Sequence, residues 1–148
     1  MSLKEKIQTD LTSAIKAQDK TRMDALRMLK SAIMRFETSG AKKEASDEEI
    51  VQIVQKEIKQ RQDSIEQFKA GNRSELAEKE AAEIEVLKVY LPPQLSEEEI
   101  RALAQEALKE TNATTKQEMG KVMATLMPKV KGKADGKLVS KIVNEMLK

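Results

Sequence analysis

Apolar residues along this 148-residue chain recur in steps of three and four rather than two. In "VQIVQKEIKQRQDSIEQF", Val51, Val54, Ile58, Arg61, Ile65 and Phe68 fall on one seam, because residues at those steps share a face of a 3.6-residue turn. Nearer the C-terminus, Leu138, Val139, Ile142, Val143 and Met146 cover one side of a second such segment, opposite Lys137, Lys141, Asn144 and Lys148. Neither alternating apolar residues nor β-branched runs appear at strand spacing, and the aromatics are limited to Phe36, Phe68 and Tyr90, so a sheet would lack its usual stabilising side chains. The pattern predicts an all-α protein.

Helix starts are marked by short polar residues followed three positions later by Glu, a pairing that satisfies the unpaired first amides of a helix. Ser2 with Glu5, Ser46 with Glu49, Asn72 with Glu75, Ser96 with Glu99 and Thr115 with Glu118 predict five starts, and Asp19 and Asp135 predict two more. Gly40 and Gly71 stand where helices end in a positive φ, which glycine adopts without a Cβ penalty. The sharpest break is "YLPPQLS", whose two prolines remove two amide donors and restrict the residues before them. These signals predict a four-helix bundle over residues 1–91, a proline linker at 92–95, and a three-helix bundle over 96–148. "GAKKEASDEE" reads as an exposed loop.

Composition supports helices and narrows the chemistry. Charged residues make up 35% of the chain, and Ala, Glu, Lys, Leu and Arg supply about half of it, as in long amphipathic helices. Histidine and cysteine are both absent, which removes the commonest general base, the commonest metal ligand and all thiolate chemistry. No catalytic residue, metal site or cofactor is assigned, and an independent enzyme is disfavoured. Met1–Lys20 is charged throughout and no apolar run is long enough to cross a bilayer; the expected location is cytoplasmic.

The net charge of +2 conceals an asymmetry: Lys116–Lys148 holds eight basic and three acidic residues, whereas the preceding residues are net acidic. A localised positive field attracts a polyanion even when the molecule is nearly neutral. Within "PKVKGKADGK", Gly132 and Gly136 loosen the backbone while Lys129, Lys131, Lys133 and Lys137 can converge, and Lys121 and Lys141 extend the positive surface. Lysines offer mobile charges to phosphate oxygens. Asp135, as an N-cap, would occupy the first amides of the last helix, so the lysine side chains are the expected contacts. Gly120 and Ala124, one turn apart, suggest close backbone approach by a neighbouring helix or space for a ligand. Arg61 on its seam, and Arg27 and Lys30 beside Met23, Leu26, Ile33 and Met34, read as snorkelling stems or as positive charge at a groove rim.

Three stretches, "ALRMLKSAI", "EVLKVYLPPQLSEEEI" and "MGKVMATLMPKVKGKADGKLVSKIV", resemble the YqeY family over essentially the whole chain. That domain also forms the C-terminal tail of the GatB subunit of tRNA-dependent amidotransferases, carbon-nitrogen ligases with glutamine as amido donor. The resemblance implies a four-helix bundle followed by a three-helix bundle and a non-catalytic role near tRNA, with amidotransferase or other translation-related machinery as partner. The family motif falls on Gly120, Lys131, Gly132, Lys133, Ala134, Asp135 and Gly136. GatB tails often carry proline where this chain has Gly136, which bears on how the last helix begins. The competing expectation is a helical adaptor that docks an acidic or apolar protein surface through Met119, Met123 and Met127.

Overall fold

The computed structural model describes residues 1–40 and 43–148, and among them the regular structure is entirely helical. It comprises α1 (Leu3–Lys16), α2 (Lys20–Thr38), α3 (Asp47–Ala70), α4 (Ser74–Lys88), α5 (Glu97–Thr111), α6 (Met119–Val130) and α7 (Gly136–Met146), with a 3-10 turn at Lys116–Glu118. The chain divides into two compact units, Met1–Leu91 and Pro92–Lys148. Each has its own core: Leu26, Leu29, Ile50, Val54 and Leu87 are among the residues at the centre of the first, and Ile100, Val122, Leu126, Val139 and Ile142 at the centre of the second.

Most starts form as the caps predict. Ser2 Oγ accepts the Glu5 amide at 3.1 Å and Ser96 Oγ accepts that of Glu99 at 3.2 Å. Ser46 and Glu49 close a complete reciprocal box, and Asp19 and Asp135 cap α2 and α7 through their carboxylates.

Two expected starts work differently. Asn72 does not open α4; with φ of +58° it closes α3, where the Arg73 amide reaches back to the Phe68 carbonyl at 2.7 Å. Asparagine tolerates the left-handed region and takes the place expected of Gly71, whose φ is an ordinary −88°. At Thr115 the hydroxyl donates to Glu118 Oε1 instead of capping an amide, and the 3-10 turn intervenes before α6.

The "GAKKEASDEE" stretch is only partly an exposed loop. Gly40 has φ of +59°, residues 41 and 42 lie outside the described residues, Ala45 is buried, and Asp47 already belongs to α3. Pro128 likewise sits inside α6, which continues to Val130. The Pro128 ring denies a hydrogen bond to the Ala124 carbonyl, and Ala124 is exposed, so water can satisfy it. The irregular backbone of the lysine segment is thus confined to residues 131–135.

Candidate nucleic-acid interface

Helical spacing places Lys121 and Lys129 on α6 and Lys137 and Lys141 on α7, the latter pair one turn apart on the face opposite buried Val139, Ile142 and Val143. Lys131 and Lys133 project from the turn between the helices. All six lysines are exposed. Lys129 pairs with Glu110 at 3.3 Å; the other five have no ion-pair partner among the described residues. An exposed lysine-glutamate pair contributes little stability, so Lys129 can exchange partners at small cost.

The turn carrying Lys131 and Lys133 is held rather than loose. Gly132 is buried with φ of +79°, and the Lys133 and Ala134 amides both donate to the Val130 carbonyl, at 2.8 and 3.1 Å. From the other side, Gln94 Nε2 donates to the Gly132 carbonyl at 3.0 Å and to that of Pro92 at 2.7 Å, while the Leu95 amide donates to the Lys133 carbonyl at 2.8 Å. Two segments 38 residues apart in sequence therefore meet, and the lysine turn is braced at two consecutive carbonyls. The sequence places Gln94 and Leu95 in the proline linker and does not reveal this brace; the available signal is a glutamine directly after two prolines that remove competing donors.

Asp135 Oδ1 accepts the Lys137 amide at 3.1 Å, so the α7 entrance is occupied by its own cap, as the N-cap reading of Asp135 expects. Asp135 has φ −72° and ψ 128°, the extended geometry that a following proline requires. A proline at the first helical position needs no amide partner, so this backbone accommodates the Gly136 difference from GatB tails. Gly120 departs from expectation: a Cβ there would meet nothing within 4 Å. The reading of a tight Gly120–Ala124 helix contact is corrected, and Gly120 leaves open surface beside Lys121. Near them the Glu118 carboxyl is held below its usual range, first by the Thr114 amide and then by Thr115 and Lys121. Met119, Met123 and Met127 pack as partly buried side chains against the second core.

The three rim candidates of the first unit part company. Arg27 and Lys30 are exposed, and Lys30 Nζ donates to Gln8 Oε1 at 2.6 Å beside an α1–α2 cleft of about 290 Å³. Arg61 is not at a rim. Only 4% exposed, it lies among Glu57 at 3.1 Å, Glu83 at 3.5 Å and Glu80 at 3.7 Å, with Nη2 against Met28 Sδ. The neighbouring carboxylates, not a phosphate, neutralise it.

Among the described residues no three His, Cys, Asp or Glu side chains gather as a metal would require, and no helix is long and apolar enough to cross a membrane.

The family model described as "Yqey-like protein" matches residues 4–147, and the chain belongs to the YqeY family. It is similar to the protein named altered inheritance of mitochondria protein 41, mitochondrial, of Pyrenophora tritici-repentis, at 33% identity over 96% of this chain and 79% of that one. The protein of the same name from Lachancea thermotolerans is 39% identical over 70% of this chain and 57% of its own length. That from Candida glabrata is 36% identical over 78% and 68%, respectively. These names overturn the cytoplasmic expectation, since relatives of this sequence are mitochondrial proteins. The physical reason is that a cysteine-free, charged helical composition excludes disulfides and membrane-spanning helices without selecting one aqueous compartment over another.

Proposed function

We propose that this YqeY-family chain is a non-catalytic RNA-associated protein that binds the phosphate backbone of tRNA through the lysines of its second unit. The carrying observation is the set Lys121, Lys131, Lys133, Lys137 and Lys141, exposed and without ion-pair partners among the described residues, with two of its members on a turn braced by Gln94 and Leu95. Each ammonium that meets a phosphate releases condensed counterions, which drives sequence-independent binding. Residues 96–148 contain no aromatic side chain, so base stacking is absent from this surface and recognition rests on backbone and shape. The family resemblance supports tRNA as the RNA and an amidotransferase-like assembly as the setting.

The packing of Met119, Met123 and Met127 against their own core weighs against an adaptor that uses them as contacts. We also read α1–α4 as a four-helix bundle and α5–α7 as a three-helix bundle; cleavage between residues 91 and 96 that left neither fragment helical would reject that division.

The direct test is tRNA binding by the chain and by the triple variant Lys131→Ala, Lys133→Ala, Lys137→Ala at low salt. Loss of three phosphate contacts is expected to weaken binding by about tenfold or more. Equal binding would overturn the lysine reading, and glutamine-dependent amide formation on misacylated tRNA by the chain alone would overturn the non-catalytic one.

A further inference from the structure

A cleft of about 430 Å³ opens between α2 and α3 in the first unit, within the size range of small-ligand sites. Its two walls are helical rows. Ala32, Arg35, Phe36 and Ser39 recur at three- and four-residue steps on or just after α2, and Gln52, Lys56 and Gln60 recur at four-residue steps on α3, with Ile53 beside them. Such spacing aligns each row along one face. Phe36 and Ile53 are half-buried and pack against the first core, and the surface they leave open, with half-buried Ala32, gives the cleft an apolar floor; Arg35, Gln52, Lys56 and Gln60 are exposed above it.

Four charged side chains line the cleft, and the two acids are already engaged. Glu49 Oε1 accepts the Ser46 amide at 3.1 Å and Oε2 lies 3.7 Å from Lys43; the amide and then the lysine hold its carboxyl below the usual range. Glu57 Oε2 is bound by buried Arg61 at 3.1 Å. The two bases are not comparably engaged. Arg35 Nη2 stands 3.9 Å from Glu57 Oε1, beyond hydrogen-bond reach, with its side chain 77% exposed, and Lys56 has no ion-pair partner among the described residues. The cleft thus presents one unpaired cation, Lys56, and one held only by a long, exposed ion pair, Arg35, over an apolar floor that includes an aromatic ring, flanked by two carboxamides that can donate and accept together.

We infer that this cleft is a binding site for a nucleotide, with phosphate on Arg35 and Lys56 and the base against Phe36 and Ile53, its edge read by Gln52 and Gln60. Guanidinium and ammonium supply charge-assisted contacts to phosphate, an aromatic face accepts any base, and carboxamides match the mixed donors and acceptors of a base edge. The site lies in the first unit and does not depend on the lysines of the second, so either can fail alone. The nucleotide has two sources of the same chemistry: a free mononucleotide, or one unit of a single-stranded RNA segment.

The test is titration of the isotope-labelled full chain with adenosine 5′-monophosphate, inorganic phosphate and adenosine, followed by backbone amide shifts. Saturable shifts confined to residues 32–39 and 49–60 are expected with the monophosphate. Arg35→Ala and Lys56→Ala should each weaken that binding about five- to tenfold, one charge-assisted contact apiece, and the pair Gln52→Ala, Gln60→Ala should weaken the monophosphate but not phosphate. All four side chains are exposed, so circular dichroism of the variants should match that of the parent. A short single-stranded RNA, tested on the Lys131→Ala, Lys133→Ala, Lys137→Ala background, separates the sources: shifts at the same residues at lower concentration assign the strand, and their absence assigns the free nucleotide. No shifts with any probe, shifts elsewhere, or phosphate binding as tightly as the monophosphate would overturn the assignment.

Discussion

A single guanidinium sits against three carboxylates inside the first unit, and its position decides what the residue is for. Arg61, Glu57 and Glu83 are all buried, and Arg61 Nε, although near Glu83 and Glu80, makes no hydrogen bond of its own. Removing one partner of a buried pair leaves the other charge uncompensated in a low-dielectric site. Arg61→Met is therefore expected to destabilise the chain by about 3 to 5 kcal/mol in urea unfolding, whereas a surface arginine would cost little on replacement. Unlike Glu49 and Glu118, Glu83 is shifted upward: burial raises its pKa and outweighs the pull of Arg61.

The folded state therefore binds the Glu83 proton more tightly than the unfolded chain. The stability it contributes is present at low pH and is lost as pH rises from the unfolded value of about 4.5 through the folded one. Glu83→Gln should gain stability relative to the parent between pH 4.5 and 7, measured by urea midpoints; a relative loss over that range would contradict the burial assigned to it. None of this was readable from the helix-three seam. Periodicity tells that Arg61 faces inward, but the acids that meet it come partly from α4, and their distance depends on packing that a one-dimensional pattern does not encode.

At the scale of elements, caps located the helices well because Ser46–Glu49 or Ser2 acts over three or four residues and needs no tertiary partner. The failures share a cause. Asn72 and Thr115 carry side chains that suit two local roles, and the neighbouring helix end or turn took the one that the spacing alone did not favour. Gly132, like Gly40, is a position where the backbone favours glycine: its φ of +79° lies in a region that other L-residues enter at a cost. Gly132→Ala should cost about 1 kcal/mol or more, while Gly71→Ala, at a negative φ, should be neutral or slightly stabilising. Gln94→Ala removes the brace on Gly132 without touching a buried side chain, so the Lys133 and Ala134 amides should exchange faster with solvent while the α7 amides stay protected. Unchanged exchange at both would show that Gln94 does not hold the lysine turn.

Across the whole molecule, the excess of positive charge lies in the C-terminal residues. The excess of basic over acidic residues after Thr115 was legible from composition, as were the exposed faces of Lys137 and Lys141. The pairing of Lys129 with Glu110 was not, because it joins the end of α6 to α5. Nor was the α2–α3 cleft, whose lining becomes available only once two of its four charges are neutralised by neighbours from the same unit.

The proposed tRNA binding rests on ammonium groups meeting phosphates, and ionic strength reads that directly. Affinity of the intact chain for tRNA, followed across a salt series, is predicted to fall with a slope of roughly −2 to −4.5 in log affinity against log salt, as for about three to five phosphate contacts. A slope near zero, or one unchanged when Lys131, Lys133 and Lys137 are replaced by alanine, would contradict it.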